Sequence, residues 1–489
     1  MVRMLFIAGA ALAYVATISP AYSQQSQDIL PPSQQGKSRL NPMWQTKARA
    51  LFKAAVEIPT VAGRGEMPKL AKLIASELRA AGFDHRDIHL LPHEGPPGDQ
   101  TVTLVVRWRA DAPSAKPMLI LGHLDVVQAR REEWRDDPFE FIERDGYFYG
   151  RGTFDNKSGV IASTVALLKL RSDGFRPNRD IILFFTGDEE TAQNGAILGT
   201  TSWRHHTEAE FALNTDTGNG SYTRDGKPVR FGFQTAEKTY QTYFLTVRNR
   251  GGHSSQPRRD NAIYELGRAL ARLERHRFKP VLNETTRVYF AERAKQEGSS
   301  ELGRAMRRWL ANENDLRAAD TIEESEIEVG QTRTTCVATM LEAGHAENAL
   351  PQTARATVNC RIMPGVDPRT VEAELRSVSG RMVEVTPDPS FIGVPSPASP
   401  LRADVLGAYR EAVRALHGQS MPVIPLMETG ASDGAFFRAA GVPTYGIDGG
   451  WRIVPDDERS HGLDERIPVR SFYDNVLHWE MIVRRLASP

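Results

Sequence analysis

Two histidines and five carboxylates stand in short, separated motifs whose residue types suit a pair of divalent cations. They are His123 and Asp125 in LGHLDVV, Asp155 in GRGTFDNKSG, Glu189 and Glu190 in FFTGDEE, Asp216 in NTDTG, and His461 in SHGLDE. Neutral imidazoles and ionised carboxylates are common donors to zinc and related ions. A water held between two such ions is a nucleophile near neutral pH, so the set points to hydrolysis of an amide-like bond.

The spacing of each motif has a local reason. His123 and Asp125 lie two apart at the end of an apolar strand, where residues i and i+2 share a face. The carboxylate can accept the ring N–H and fix the tautomer that ligates. Asp155 lies in a glycine-rich turn before a helix, where its two oxygens can each reach a cation; simple helix capping is the ordinary alternative there. Glu189 and Glu190 follow a buried strand, where two acids are costly unless paired or metal-bound. One can ligate while the other stays free as a base. Asp216 follows the apolar stretch EFALN, and His461 comes 245 residues later, so the chain must return to the same region. Ligands gather at the strand ends of open α/β sheets, and that is where most of these motifs fall.

Those strand ends belong to an alternating pattern. Helices are expected over 41–82 and 158–172, and strands over 101–108, 118–122 and 180–185. This predicts an α/β catalytic domain, a mixed central sheet flanked by helices, built from 41–234 and 396–489. Between them, 235–395 reads as βαββαβ, with strands at 240–247, 335–342, 354–362 and 381–386 and helices at 261–276 and 367–380. That pattern predicts an inserted α+β domain, a four-stranded antiparallel sheet with two helices on one face. A charged helical stretch near 281–328 interrupts it.

Cys336 and Cys360 are the only cysteines, and each lies 12 residues from Asn348. A hairpin centred there would set them opposite each other, as a disulfide or as two buried thiols. With 61 acidic and 61 basic residues the formal net charge is zero, which excludes a general nucleic-acid binder. Arg3, the apolar run Leu5 to Ile18 and the small residues Ala21-Tyr22-Ser23 read as an export signal over 1–23, cleaved near Ser23–Gln24. An uncleaved anchor is the alternative. Residues 24–40 read as a flexible tether. The protein is therefore expected in the periplasm or secreted, with no stable membrane span after cleavage.

These motifs, in this order, strongly resemble metallopeptidase family twenty, the dinuclear zinc group that includes aminoacylase, glutamate carboxypeptidase and carboxypeptidase S. The resemblance covers nearly all of the chain after the tether. The stretch DPFEFIERDGYFYGRGTFDNKSG is most like the carboxypeptidase S branch. It implies that His123 and Asp216 bind one metal, with Asp125 orienting the histidine. It implies that Asp155 bridges, that Glu190 and His461 bind the second metal, and that Glu189 is the general base. A cis peptide at Asp155–Asn156 is also implied. The second unit becomes a lid or dimerisation domain. Its His253, in RGGHSSQP, would reach a partner's active site and polarise the scissile carbonyl. Asn348 and Arg361, thirteen residues apart, would contact substrate, the arginine through its bidentate fork on a terminal carboxylate. Gly430, Ser432 and Asp433, in ETGASDGAFF, resemble a loop along the substrate backbone.

The chain departs from the family in having Lys157-Ser158-Gly159 where Lys-Gly is common, and in the long insert, which bears on the usual dimer. The implied cofactor is two Zn2+ ions, with Co2+ or Mn2+ fitting the same donors. The implied activity is that of a carboxypeptidase or dipeptidase on peptides with a free carboxylate. N-acyl amino acid hydrolysis is the alternative. An intact Glu189 argues against a silent metal- or peptide-binding protein, and the absence of GxSxG against a serine hydrolase. A homodimer through the lid is left open.

Overall fold

The computed structural model describes residues 36–96, 98–390 and 393–488. The expected export signal and most of the tether lie outside the described residues.

The chain opens with helices α1 (Pro42–Val56) and α2 (Met67–Ala80), each with proline in its first turn, where a missing N–H costs nothing. Strands β1 (Ile88–Glu94), β2 (Gln100–Trp108) and β3 (Met118–His123) follow, then the hairpin β4 (Ile142–Arg144) and β5 (Tyr147–Tyr149). Helix α3 (Lys157–Ser172) leads to β6 (Ile181–Thr186), the short helices α4 (Asn194–Thr200) and α5 (Arg204–Thr207), and strands β7 (Phe211–Asn214), β8 (Gly220–Thr223) and β9 (Pro228–Glu237). Strands β3 and β6 are buried at every position, and α3 is buried on nearly all sides. Continuous apolar runs are what central strands covered on both faces require.

Strand β9 runs to Glu237 in the large sheet and the next strand opens at Thr239 in the second sheet, so the chain crosses between them at Lys238. The second domain holds β10 (Thr239–Arg248), β11 (Gly252–His253), α6 (Ala262–Arg275), the insert helices α7 (Glu284–Gln296), α8 (Glu301–Ala311) and α9 (Leu316–Glu323), then β12 (Thr335–Ala343), β13 (Ala349–Leu350), β14 (Thr353–Ile362), α10 (Pro368–Ser379) and β15 (Glu384–Pro387). Four strands pair antiparallel in the order β12-β14-β10-β15. Cys336 and Cys360 stand opposite each other across β12 and β14 and form a disulfide.

The insert is less polar than its composition suggests. Phe290, Met306, Trp309 and Ile322 close a small core that includes Ile424 and Leu426. Those two belong to the next segment, α11 (Ala403–His417), β16 (Val423–Glu428), α12 (Gly434–Ala439), β17 (Thr444–Gly446), β18 (Trp451–Val454), β19 (Arg466–Pro468) and α13 (Val469–Ala487). The insert therefore packs on the large sheet, although it is threaded through the second domain's sequence. The large sheet has ten strands, in the order β1-β2-β6-β3-β7-β17-β9-β8-β18, with β16 also paired to β9. It is mixed: β3 is parallel to β6 and β7, while β2 is antiparallel to β6. No described helix is long and apolar enough to cross a membrane.

Candidate metal centre

Strand β3 delivers His123 to the end of the sheet, and the chain continues through Leu124 to Asp125; both His123 and Asp125 are 1% exposed. The His123 Nδ1 lies 3.1 Å from the Asp125 carbonyl oxygen. Its Nε2 faces Asp155 Oδ1 at 3.1 Å and Asp216 Oδ1 at 3.5 Å. The other oxygen of Asp155, Oδ2, is 3.2 Å from His461 Nε2, which in turn lies 2.9 Å from Glu190 Oε1. Asp155 thus presents one oxygen to each imidazole, and each imidazole has a second carboxylate beside it. Ligand atoms of His123, Asp155 and Glu190 lie within 4.8 Å of one another. The peptide bond after Asp155 is cis.

The charge state of this cluster bears on what it holds. Burial pulls the His123 imidazole down, but hydrogen bonds with Asp125, Asp155 and Asp216 outweigh it, and its pKa rises well above the ordinary value. Hydrogen bonds to Asp155 and Glu190 raise His461 to about 10. Burial raises Glu190 to about 7 and also pushes up Glu189 and Asp216. Asp155 goes the other way: against its burial, hydrogen bonds from His123 and His461 hold its carboxyl well below the usual range, so it stays ionised between two imidazoles while the other acids are pushed up. Two imidazoles and two carboxylates around a shared Asp155 fit a pair of divalent ions.

The surrounding groups set the geometry. The Asp125 carboxylate accepts from the backbone N–H of Glu189 at 3.1 Å and of Glu190 at 2.9 Å, so it fixes both the imidazole side and the acidic loop. Asn156 accepts from Thr215 Oγ1 at 2.8 Å and donates to the Thr215 carbonyl at 3.0 Å, tying the Asp155 turn to the Asp216 loop. A Cβ at Gly159 would lie 2.8 Å from Thr215 Cβ, so only glycine lets α3 start this close to that loop.

One supporting residue was not singled out from sequence. Glu465 is fully buried and accepts from Arg151 Nη1 at 2.7 Å and from the backbone N–H groups of Gly152, Phe154 and Asp155 at 3.0, 2.8 and 3.0 Å. It holds the turn that carries Asp155. The available signal was its place four residues after His461 in SHGLDE.

Not every expected residue joins the cluster. His253 and Asn348 are exposed, at or beside the small β11–β13 pairing, and among the described residues neither contacts the metal cluster. The Asn348 carbonyl accepts from Ser254 N at 3.0 Å, and His253 Nδ1 lies 2.8 Å from Ser255 Oγ. Arg361, on β14, donates to the Thr429 carbonyl at 3.3 Å and sits over the Tyr240 ring at 4.7 Å. Gly430 lines a cavity of about 170 Å³ together with Asp155, Asp216 and Arg452. The Ser432 and Asp433 side chains point inward instead, at 1% and 4% exposure. Ser432 Oγ donates to Glu237 Oε2 at 2.9 Å, and Asp433 accepts from Thr186 Oγ1. The polar atoms of these two side chains are turned into the core of the loop. A larger cavity, about 850 Å³, lies between α6, the end of the insert and β12, and holds none of the cluster residues.

A carboxylate shared between two imidazoles at the strand ends of a mixed sheet, with an inserted four-stranded domain, is the arrangement of a metallohydrolase. The chain belongs to Peptidase family M20/M25/M40, whose model matches residues 119–485. It is similar to the N-fatty-acyl-amino acid synthase/hydrolase PM20D1 of Homo sapiens, 30% identical over 380 residues that make up 74% of this chain and 73% of that protein. It is also similar to the probable carboxypeptidase S-like 2 of Dictyostelium discoideum, at 28% identity over 76% of this chain and 72% of the relative. Among solved structures it shares its fold with the M20 family metallo-carboxypeptidase Sso-CP2 from Sulfolobus solfataricus, with a TM-score of 0.67, 19% identity and coverage of 90% of this chain and 98% of that one. The protein is a metal-dependent hydrolase of the peptidase and amidohydrolase kind.

Proposed function

We propose that the protein is a dinuclear zinc exopeptidase that releases the C-terminal amino acid of peptides. The observation that carries this reading is the split of Asp155, with Oδ1 3.1 Å from His123 and Oδ2 3.2 Å from His461. His123, Asp155 and Asp216 would hold one ion, and His461, Asp155 and Glu190 the other. Zinc suits this donor set, which cobalt or manganese would also satisfy. When bound, the ions supply Lewis acidity and a water of lowered pKa. Asp125 keeps His123 in its ligating tautomer. Glu189 takes the proton of the attacking water and returns it to the leaving amine. Arg361 holds the substrate carboxylate through its fork.

His253 and Asn348 act in this reading from a second copy of the chain, His253 stabilising the oxyanion and Asn348 contacting substrate. Their exposure supports it, as does the edge strand β12, whose Val337, Met340 and Leu341 are 60, 60 and 61% exposed. An uncovered apolar edge of this kind is rarely left open in a monomer. Sedimentation of the purified protein tests the dimer, and a monomeric mass removes both residues from the site. Export to the periplasm or medium is part of the same proposal and is supported by the apolar run within residues 1–23.

Hydrolysis of N-acyl amino acids is the second reading, favoured by the similarity to the human N-fatty-acyl-amino acid synthase/hydrolase. Both reactions cleave an amide beside a free carboxylate, so Arg361 serves either. The deciding experiment measures amino acid release from dipeptides, longer peptides and N-acyl amino acids by the zinc-loaded mature protein, beside a Glu189→Gln control. Release from peptide C-termini that the control lacks supports the exopeptidase. Preference for acyl substrates moves the assignment to the acylase. No release from any of them refutes both.

A further inference from the structure

Arg452 occupies the second position of β18, between Trp451 and Ile453, which are 0% and 2% exposed and face the core. Alternation along a strand turns Arg452 to the other face. There its guanidinium lies 5.0 Å over the ring of Phe154, the residue before Asp155. It lines the 170 Å³ cavity with Asp155 and Asp216. Its Nε is buried with no hydrogen-bond partner, and among the described residues the guanidinium forms no hydrogen bond and no ion pair.

That is an unusual state for an arginine. A guanidinium carries five N–H donors; Arg452 is half-buried, and its Nε–H is shielded from water with no partner, which costs free energy until an acceptor reaches it. Three of the acids around it are committed elsewhere, and the fourth, Glu428, feels its charge only at longer range. Asp155 and Asp216 stand beside the imidazoles, and Glu237 is paired with Arg438, Oε1 to Nη1 2.8 Å. Glu428 lines the same cavity without reaching ion-pair distance of Arg452. Arg452 and Arg361 flank one loop: Arg361 donates to the Thr429 carbonyl, and Arg452 shares the cavity wall with Gly430 and Ala431.

We propose that Arg452 binds a carboxylate of the substrate from the large-sheet side of the cavity, and so is a specificity-determining residue distinct from Arg361. The proposal rests on the amide-hydrolase reading for where substrate lies. The carboxylate has two sources: the α-carboxylate of the released amino acid, or an acidic side chain on it. Planar, bidentate pairing makes arginine the fitting residue for either.

The test compares two ligand pairs on wild type, Arg452→Met and Arg452→Lys. One pair is N-acetyl-leucine and its carboxamide; the other is N-acetyl-glutamate and N-acetyl-glutamine. Kd is read by calorimetry on the zinc-loaded protein carrying Glu189→Gln, and kcat/KM on the active protein. Arg452→Met is expected to lower one selectivity ratio about ten- to hundredfold, the cost of a charged hydrogen-bonded contact, with partial rescue in Arg452→Lys. Loss in the first pair identifies the α-carboxylate as the source, and loss in the second identifies the side chain. Unchanged ratios in both pairs overturn the proposal, as does wild-type binding that ignores the carboxylates. Restoration of the ratio by Glu428→Gln in the Arg452→Met background also overturns it, since Arg452 would then only neutralise Glu428. Because the binding ratios are read without turnover, failure to hydrolyse any amide refutes the hydrolase reading alone.

Discussion

Replacing Glu465 with glutamine removes one oxygen from the most heavily engaged carboxylate near the centre and changes almost nothing in size. The magnitude follows from its four partners. Oε2 accepts from Arg151 Nη1 and Gly152 N, and Oε1 from Phe154 N and Asp155 N. An amide can keep only one of these pairs, because its NH2 group meets N–H donors on the other. If the amide oxygen stays with Arg151, two backbone donors are orphaned, at about 1–3 kcal/mol each. If it turns, Arg151, 2% exposed, is left as a buried unpaired cation, at about 3–5 kcal/mol. Either way the loss is about 4 kcal/mol. It falls on the turn that aims Asp155 at both histidines, so metal affinity should drop about 10–100-fold as well, the usual effect of losing a group that holds a ligand in place. Urea unfolding of the metal-free protein reads the first quantity, and competition with a calibrated chelator reads the second. A stability loss under about 1 kcal/mol with unchanged zinc affinity would refute the argument that Glu465 holds the turn.

Three further outcomes are expected. Glu189→Gln should keep its metal content and lose at least about 100-fold in kcat, and near-normal turnover would remove Glu189 as the base. His461→Ala should lose one of two bound zinc ions, read by elemental analysis after dialysis; retention of both would place the second ion elsewhere. His478 is fully buried, with Nε2 donating to the Ile447 carbonyl at 2.9 Å, and burial holds its pKa down at about 4. A folded pKa below the unfolded 6.5 means stability present above pH 6.5 is lost as pH falls toward 4, by up to about 3 kcal/mol. In His478→Gln the urea midpoint should fall less steeply over that window; an unchanged slope would show that His478 does not contribute.

The residues that cluster around Asp155 were legible because each sits in a short motif beside an apolar run, and apolar runs reveal strand ends without any knowledge of the fold. The antiparallel domain was legible for the same reason, down to Cys336 facing Cys360 across a hairpin. Glu465 was not, since an acid in a glycine-containing loop reads as solvated until the Asp155 turn, more than 300 residues earlier in sequence, is seen to fold onto it. Arg452 was hidden in the strand WRIV, where alternation tells that it faces away from Trp451 but not what lies on that side. From sequence, Ser432 and Asp433 show a polar loop near the site but not which way their side chains turn. In the fold their oxygens meet Glu237 and Thr186. The docking of the insert could not be read, because helical periodicity reports an apolar face and not its partner.

That docking bears on what would move if the two domains swing. The chain crosses between sheets at Lys238, whose buried ammonium donates to the Arg333 carbonyl at 2.7 Å just past the insert. The two ends of the insert are laced together by Val281 N donating to the Thr332 carbonyl at 2.9 Å. Thr285 at the start of α7 is hydrogen-bonded to Thr235 of β9, at 2.5 Å. A pivot at Lys238 would leave α7 on Ile424 and Leu426 and Thr285 on Thr235, and would strain chiefly the bond from Lys238 to Arg333. The insert therefore belongs mechanically to the frame of the large sheet, although its sequence lies within the second domain.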